Sequence, residues 1–377
     1  MGAKIMIVAG EASGDVYGSS LASEIRILNP GVEISGVGGQ KMEDAGVEIL
    51  LDSNGLSVVG FWEAIIRIGK LRKALDYLKS QIDRLRPDLL ILIDYPGMNL
   101  RLARFAKQRG VRVMYYVSPQ IWAWGKNRTK LIKRNVDKMV VILPFEEEIY
   151  KKEGIDVAYV GHPLLDIVKT ELSREAFFQT LRVDPERRLI TLLPGSRMQE
   201  IRQHIRPLIE TASILKRRFP STAYTLVSLP AFLGVVTEEI RRAGEVIPVT
   251  TEHRYEALRY SDLAITCSGT ATLEATLLGT PMIVIYRLAF FSWTLGKIIV
   301  KVPYISLANL VAGEQVVPEF LQRAVNPAAL ADEAASILTD DARRQRMIGQ
   351  LERTRAKLGP GGATARAARL ALSLAAQ

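Results

Sequence analysis

Cysteine and histidine are scarce in this sequence, and their scarcity limits the chemistry that it supports. Cys267 is the single cysteine among 377 residues, so a disulfide within the chain and a cysteine-based metal centre are both excluded. The three histidines, His162, His204 and His253, form no close pair and no HExxH motif. We therefore expect no metal site, and the composition fits a reducing compartment.

Several nucleotide-binding and membrane signatures are also missing. The sequence has no GxxxxGK[ST] motif, so a P-loop is excluded. The first glycine-rich turn is not GxGxxG, and the second predicted strand ends in glycines rather than in an acid for a ribose, which disfavours a dinucleotide site. No window approaches about 18 uninterrupted apolar residues, because the best one, 288–302, contains Lys297 and Lys301. We therefore predict no membrane-spanning helix, and the first residues predict a strand rather than a signal peptide.

What the sequence does contain is a regular alternation of short apolar runs with amphipathic helical stretches. This alternation is typical of an α/β protein with parallel sheets. Two series of such runs predict two Rossmann-like, doubly wound domains in tandem, 1–165 and 166–340, followed by a helical tail, 341–377, for which packing on the first domain and packing on a partner subunit are the two alternatives. The predicted strands are 5–9, 32–36, 89–93, 111–117, 139–143 and 158–160, then 189–193, 224–228, 246–249, 263–266 and 281–286.

Positive charge is in excess, with a formal net charge of +10. A basic surface suits nucleic acid, anionic lipid or a phosphorylated substrate, and it can also be solvated surface without a partner. A non-catalytic nucleic-acid binder is suggested by the charge alone. No motif supports it, so we expect no nucleic-acid partner.

Two polar segments follow predicted strands of the first domain. Glu11, Ser13 and Asp15 lie in the turn GEASGD, where glycines let the backbone approach a ligand closely. Asp94 ends a strongly apolar strand, which places a carboxylate where it can act as general base on a sugar hydroxyl. The alternative interpretation is structural, with Ser13, Asp15 or Asp94 capping the helix that follows.

A third segment of the first domain carries two tryptophans two residues apart. Ser118, Gln120, Trp122 and Trp124 follow a predicted strand. Aromatic rings offer apolar faces to sugars or acyl chains, together with an N–H group for a polar partner. We predict that these residues line a substrate cleft, and core packing of the rings is the alternative.

Two turns of the second domain have the features of an anion site. One ends in Arg197 just before a helix, and helix N-termini bind anions through free N–H groups. The other offers the amides and hydroxyls of Ser268, Gly269 and Thr270, with Glu274 about one turn further along to reach a ribose. Ordinary helix caps are the alternative for each turn. Two such turns in one domain favour a nucleotide diphosphate.

A stretch near residue 60 has more apolar side chains than one helical stripe can bury. Apolar residues rimmed by basic ones suit an interfacial contact with a membrane, whereas a helix buried on two sides is the alternative. The predicted contact residues are Val59, Phe61, Trp62, Ile65, Ile66, Arg67 and Lys70.

Together these segments resemble the lipid-A-disaccharide synthase family. The resemblance runs from the first strand to about Leu321, and it rests on the order and combination of the motifs. These motifs are GEASGD at 10–15, IDYP at 93–96, VSPQIWAW at 117–124, LPFE at 143–146, VGHP at 160–163, LPGSR at 193–197 and SLANL at 306–310.

The resemblance implies a B-type glycosyltransferase fold and an inverting hexosyl transfer without a cofactor. The implied donor is UDP-2,3-diacylglucosamine, and the implied acceptor is 2,3-diacylglucosamine 1-phosphate. The products would be the β-1,6-linked lipid A disaccharide 1-phosphate and UDP. Members are peripheral membrane proteins, which implies a cytoplasmic enzyme on the inner face of the inner membrane, and some form homodimers.

The resemblance also assigns roles to residues. It implies that Asp94 is the catalytic base, and that Arg197, the turn 268–270, Glu274 and Asn309 belong to the nucleotide side. Some members carry a second aspartate three residues after the base, where this chain has Gly97. The base assignment therefore rests on Asp94 alone.

Two other enzymes share this fold and fit the same residues. One is an isomerase like UDP-N-acetylglucosamine 2-epimerase, which needs no lipid acceptor. The other is a UDP-sugar glycosyltransferase that acts on a different lipid acceptor. Turnover of the UDP-sugar without acceptor would indicate the first, and acceptor competition would distinguish the second.

Overall fold

The chain forms two folded units. The computed structural model describes residues 2–53, 61–119, 128–287 and 303–377, apart from the side chains of residues 12, 61–68 and 70. The first unit comprises Met1–Ile167 together with Leu358–Gln377, and the second comprises Val168–Lys357. The predicted tail, 341–377, is therefore divided, because its first part belongs to the second unit and its last part returns to the first.

A seven-stranded parallel sheet forms the centre of the first unit. The strands are β1 (Lys4–Ala9), β2 (Glu33–Gly38), β3 (Glu48–Asp52), β4 (Leu89–Ile93), β5 (Arg112–Tyr116), β6 (Lys138–Val141) and β7 (Val157–Tyr159). Their order is β3-β2-β1-β4-β5-β6-β7, and each neighbouring pair is parallel. β4 buries every side chain, as its unbroken apolar sequence predicts for a parallel strand covered on both faces.

Helices follow these strands because the sequence between them repeats apolar residues at helical spacing. In one of these helices Met98, Leu102, Ala103 and Ala106 form the buried stripe. The helices of this part are α1 (Ala12–Leu28), α2 (Gln40–Asp44), α3 (Phe61–Leu85), α4 (Pro96–Gln108), α5 (Arg128–Asn135), α6 (Glu146–Lys152) and α7 (Leu164–Ile167).

The second unit is built around a six-stranded parallel sheet. Its strands are β8 (Leu189–Leu193), β9 (Ala223–Val227), β10 (Val249–Thr250), β11 (Leu263–Cys267), β12 (Met282–Tyr286) and β13 (Glu319–Leu321), in the order β10-β9-β8-β11-β12-β13. Its helices are α8 (Arg174–Leu181), α9 (Met198–Arg218), α10 (Leu233–Arg242), α11 (Arg254–Arg259), α12 (Thr270–Leu278), α13 (Leu307–Ala312), α14 (Pro327–Thr339) and α15 (Asp341–Lys357).

The chain then returns to the first unit as helix α16 (Ala363–Ala375), which packs against α1. Alanines form its buried stripe, and their small side chains let the two helices approach closely. Asp166 fixes the start of α16, because its carboxylate accepts hydrogen bonds from the backbone N–H groups of Gly362 and Thr364 at 2.5 and 3.2 Å.

Each sheet has one point at which the strand order reverses. In the first unit this point lies between β1 and β4, and in the second it lies between β8 and β11. Ligands of doubly wound sheets bind at the carboxyl ends of the strands beside such a point. The turns that follow these four strands contain the segment 10–15, Asp94, Arg197 and the segment 268–270. The predicted fold class is confirmed.

In the described part of the chain, no helix is both long enough and apolar enough to cross a bilayer.

Candidate active-site residues in the two units

The turn after β4 holds Asp94 in an unusual backbone conformation. Asp94 and Tyr95 have φ angles of 45° and 44°, in the left-handed region that side chains other than glycine rarely occupy. Val117, which follows β5, has a φ of 61°, and its carbonyl accepts the Asp94 N–H at 3.2 Å. Each such residue costs roughly 1–3 kcal/mol, and such strain clusters at functional sites.

Two buried side chains stabilise this turn. The hydroxyl of Tyr115 donates to the Asp94 carbonyl at 2.5 Å. The amide of Asn99 donates to the same carbonyl at 2.7 Å and to that of Ile93 at 3.1 Å. Pro96 occupies the first turn of α4, where its missing N–H is not needed. The Asp94 side chain remains partly exposed at the carboxyl edge of the sheet.

The turn after β1 lies directly beside the turn after β4. A Cβ atom on Gly10 would stand 2.7 Å from the ring of Tyr95, so only glycine allows this approach. Glu11 precedes α1 and Ser13 lies in its first turn, both partly exposed. These residues and Asp94 therefore share the carboxyl edge at the switch point of the first unit.

Asp15, a predicted cleft residue, has a structural role that differs from the helix cap given as its alternative. Neither Ser13 nor Asp15 caps α1, whose N-cap residue is Glu11 and which has no side-chain cap. The Asp15 carboxylate instead accepts the backbone N–H groups of Gly39, Lys41 and Met42 at 2.6, 3.3 and 3.2 Å. It thus stabilises the start of α2, where free N–H groups and the helix dipole favour a carboxylate.

Ser118 belongs to a buried network rather than to an open surface. Its hydroxyl donates to the carboxylate of Glu146 at 2.7 Å, and the other oxygen of Glu146 accepts the Leu143 N–H at 3.2 Å. Tyr150 donates to the carbonyl of Pro119 at 3.0 Å, which ties the end of this segment to α6. The other three predicted cleft residues, Gln120, Trp122 and Trp124, lie outside the described residues.

In the second unit, the turn after β8 is shaped by Gly195 and Glu200. Gly195 has a φ of 126°, and a Cβ there would stand 2.6 Å from the Glu200 side chain. The Glu200 carboxylate accepts the backbone N–H groups of Ser196 and Arg197 and forms an ion pair with the Arg197 guanidinium at 3.3 Å. About half of the Arg197 side chain is exposed, with a relative accessibility of 53%. A cation is thus presented at the start of α9.

His204 joins two strand ends of this unit. Its Nδ1 lies 2.8 Å from the Pro194 carbonyl, and its Nε2 lies 2.8 Å from the Arg287 N–H. Since a carbonyl only accepts and an N–H only donates, the ring is neutral with its proton on Nδ1. Burial lowers the His204 pKa and keeps the ring in that form. The ends of β8 and β12 are therefore held in one arrangement.

The second predicted anion turn lies one strand away from the first. β11 pairs with β8 in parallel, so residues 268–270 and Arg197 follow neighbouring strand ends. Gly269 has a φ of 146°, and Thr270 begins α12. The Ser268 hydroxyl donates to the Ile305 carbonyl at 2.9 Å. Both turns thus lie at the switch point of the second sheet, where backbone N–H groups and a guanidinium suit a phosphate group.

Glu274 lies on α12 and is almost fully buried. Its Oε1 is paired with Nη2 of Arg254 at 2.9 Å, and its Oε2 is buried with no hydrogen-bond partner among the described residues. Burial raises the pKa of Glu274, and the charge of Arg254 offsets part of this increase. An unpaired buried acceptor is costly to the folded state.

Asn309 is buried and already saturated with internal hydrogen bonds. Its amide donates to the Val317 carbonyl and the Glu319 carboxylate, and its oxygen accepts the N–H groups of Val316 and Val317. Glu319 also accepts the N–H groups of Ile305 and Ser306, at 2.9 Å each. The side chain of Asn309 therefore fixes the path of this segment.

The predicted membrane-contact residues are not described by the structure. Val59 lies outside the described residues, as do the side chains of Phe61, Trp62, Ile65, Ile66, Arg67 and Lys70.

Comparison with solved structures identifies the class of fold. The fold is similar to UDP-GlcNAc 2-epimerase from Neisseria meningitidis bound to UDP-GlcNAc, with a TM-score of 0.69, 11% identity and coverage of 98% of this chain and 100% of that chain. It is also similar to MurG from Acinetobacter baumannii, with a TM-score of 0.59, 16% identity and coverage of 98% and 99%. The fold is that of B-type glycosyltransferases and the epimerases related to them.

Sequence comparison identifies the family within this class. Residues 5–371 match the family described as lipid-A-disaccharide synthetase. The lipid-A-disaccharide synthase of Geobacter sulfurreducens is 40% identical over 372 residues, covering 98% of this chain and 97% of that protein. The one from Coxiella burnetii is 37% identical over 372 residues, covering 98% of both. The chain belongs to the lipid-A-disaccharide synthase family. It is a hexosyltransferase that uses a UDP-sugar donor and a lipid acceptor.

Proposed function

We propose that this enzyme joins UDP-2,3-diacylglucosamine to 2,3-diacylglucosamine 1-phosphate, with Asp94 as the base and the second unit as the nucleotide site. The products are the β-1,6-linked disaccharide 1-phosphate and UDP. The observation that carries the proposal is the position of the polar turns. In each sheet they follow the two strands beside the switch point, where doubly wound sheets bind ligands.

Asp94 activates the acceptor. Its carboxylate takes the proton from the 6-hydroxyl while that oxygen attacks the anomeric carbon of the donor. The new C–O bond forms on the face opposite the leaving group, so the configuration inverts. The bond from the anomeric carbon to the diphosphate oxygen breaks, and its electron pair leaves with UDP. General-base catalysis of this kind contributes roughly 10²–10⁴-fold to the rate.

The second unit stabilises the charge that develops on UDP. Arg197 and the N–H groups at the start of α12 bind the diphosphate, and the preformed turns make this stabilisation available without rearrangement. Oε2 of Glu274 accepts a hydrogen bond from a ribose hydroxyl. This role supplies the donor that the buried oxygen lacks among the described residues.

The lipid substrates favour action at a membrane. We place the enzyme peripherally on the inner face of the inner membrane, where the excess of positive charge, +10, suits anionic head groups. Sedimentation with vesicles that contain or lack anionic lipid tests this placement, and salt should weaken the binding.

Light scattering in solution distinguishes a monomer from the homodimer found in some members of the family.

The decisive experiment measures disaccharide formation from the two lipid substrates in detergent micelles, with and without chelator. Asp94→Asn should lower kcat by roughly 10²–10⁴-fold with unchanged inhibition by UDP. The matched control is Asp83→Asn, which breaks only an exposed ion pair with Arg109. Full activity in Asp94→Asn would remove the base. Turnover of the donor without acceptor would instead support an isomerase.

A further inference from the structure

The backbone carbonyl of Asp94 receives two hydrogen bonds from buried side chains. One comes from the hydroxyl of Tyr115 at 2.5 Å and the other from the amide of Asn99 at 2.7 Å. Both side chains are fully buried. They approach from two different elements, β5 and α4, and meet at one oxygen.

The orientation of the Asn99 amide is fixed by its neighbours. Both groups that face Nδ2 are carbonyls, so the nitrogen must point at them and cannot exchange places with the oxygen. Oδ1 is then left buried with no hydrogen-bond partner among the described residues. An apolar side chain would avoid that cost, so the two donated hydrogen bonds explain why asparagine is present.

Tyr115 remains a donor at every working pH. Burial raises the pKa of its hydroxyl well above the ordinary value, and the nearby charge of Asp94 raises it further. The hydroxyl therefore stays protonated and directed at the carbonyl. Without these two donors, the left-handed turn at Asp94 and Tyr95 would lose the hydrogen bonds that offset its strain.

We propose that Asn99 and Tyr115 are positioning residues for the transfer reaction, which fix the Asp94 backbone in its left-handed conformation and thereby aim its carboxylate at the acceptor hydroxyl. The inference rests on the proposed role of Asp94. It goes beyond that role because it assigns a catalytic effect to two buried groups that touch neither substrate. Loss of either donor should misdirect the base while leaving substrate binding intact.

Tyr115→Phe tests this inference with a change of a single oxygen atom. The matched control is Tyr116→Phe, the next residue of β5, which is equally buried and whose hydroxyl interacts with Thr364 and makes no hydrogen bond to the Asp94 turn. Tyr115→Phe should lower kcat about five- to tenfold, which corresponds to one lost hydrogen bond, with unchanged KM for both substrates. Tyr116→Phe should leave kcat unchanged. Asn99→Leu should have a larger effect than Tyr115→Phe, because it removes two hydrogen bonds.

The same substitution in the Asp94→Asn background separates positioning from general stability. If Tyr115 acts through Asp94, Tyr115→Phe has no further effect on the residual rate of Asp94→Asn. An equal loss in both backgrounds, or an equal loss in Tyr116→Phe, would overturn the inference while leaving Asp94 as the base. Wild-type activity in Asp94→Asn would instead show that Asp94 is not the base, which is the role on which this inference rests.

Discussion

Arg254 and Glu274 form an ion pair in which the carboxylate is buried and the guanidinium is partly exposed, with side-chain accessibilities of 3% and 36%. Burial raises the pKa of Glu274, so the folded protein disfavours its charged form. This carboxylate therefore reduces stability at neutral pH, and we infer that it is retained for the ligand. Stability and function thus oppose each other at this residue.

Glu274→Gln should raise the Tm and weaken UDP binding at the same time. The folded pKa lies above the unfolded one, so the stability of the wild type is greatest below the unfolded pKa and is lost as pH rises through the folded pKa. The gain in the variant should therefore be present at pH 7.5 and shrink toward about pH 4. Thermal unfolding across pH and calorimetric titration with UDP measure the two effects. Glu256→Gln is the control, because it keeps an oxygen for the two backbone N–H groups that Oε1 accepts but removes the charge that strengthens these hydrogen bonds, and it should therefore lower the Tm.

Arg197→Ala should weaken UDP binding about 10- to 100-fold, the effect of losing a charged hydrogen bond to the diphosphate. Arg206→Ala provides the comparison, because Arg206 lies on the same helix and forms an exposed ion pair with Glu239 at 3.0 Å. Equal UDP affinity in both variants, measured by calorimetry, would remove Arg197 from the diphosphate site.

Gly195→Ala should damage the turn that presents Arg197. The added Cβ would meet Glu200 at 2.6 Å in a backbone conformation that alanine rarely adopts. We expect a lower Tm and weaker UDP binding. Gly234→Ala, in the first turn of α10, adds a methyl group with nothing within 4 Å and should leave both quantities nearly unchanged. A normal UDP affinity in Gly195→Ala would contradict the assigned role of the turn.

His162 should make the first unit less stable in acid. Burial lowers its pKa to about 3, and its Nδ1 accepts the Leu164 N–H at 3.1 Å. At pH values between this folded pKa and the unfolded pKa of about 6.5, His162 is protonated in the unfolded chain but neutral in the folded one. The free energy of unfolding therefore falls as the pH falls through this range. His162→Asn retains an acceptor but does not titrate. When the pH falls from 7.5 to 5.0, the unfolding free energy of His162→Asn should decrease by about 2 kcal/mol less than that of the wild type. Urea denaturation at the two pH values measures this difference. Equal losses would show that His162 does not cause the acid sensitivity.

The central strands of each sheet were predicted from the sequence, whereas two strands at the sheet edges were missed. β4 and β8 are unbroken apolar runs buried on both faces, so their pattern is unambiguous. β3 and β13 were missed because they lie at sheet edges, are short, and keep their side chains only partly buried. A strand with one neighbour needs no continuous apolar sequence, and its formation depends on the partner strand instead.

The positions of the polar turns were predictable where they depend on local sequence. Arg197 and the turn 268–270 could be placed after strand ends because a strand, a glycine turn and a helix start are contiguous in each case, and their role in binding UDP stays a prediction. The internal hydrogen bonds of Asp15 and Asn309 could not be predicted in the same way. The partners of Asp15 lie more than twenty residues away in sequence, and no local pattern signals such a contact. The contact of Tyr115 with Asp94 and that of Arg254 with Glu274 likewise join residues that are distant in sequence, so no local pattern predicts them.

The return of residues 358–377 to the first unit also has a consequence during synthesis. The surface of α1 that α16 covers is translated more than three hundred residues before its partner. The second unit is therefore synthesised while that surface of α1 remains uncovered. Nascent chains stalled at residue 357 should expose this surface to chaperones, and release of the remaining segment should end that binding.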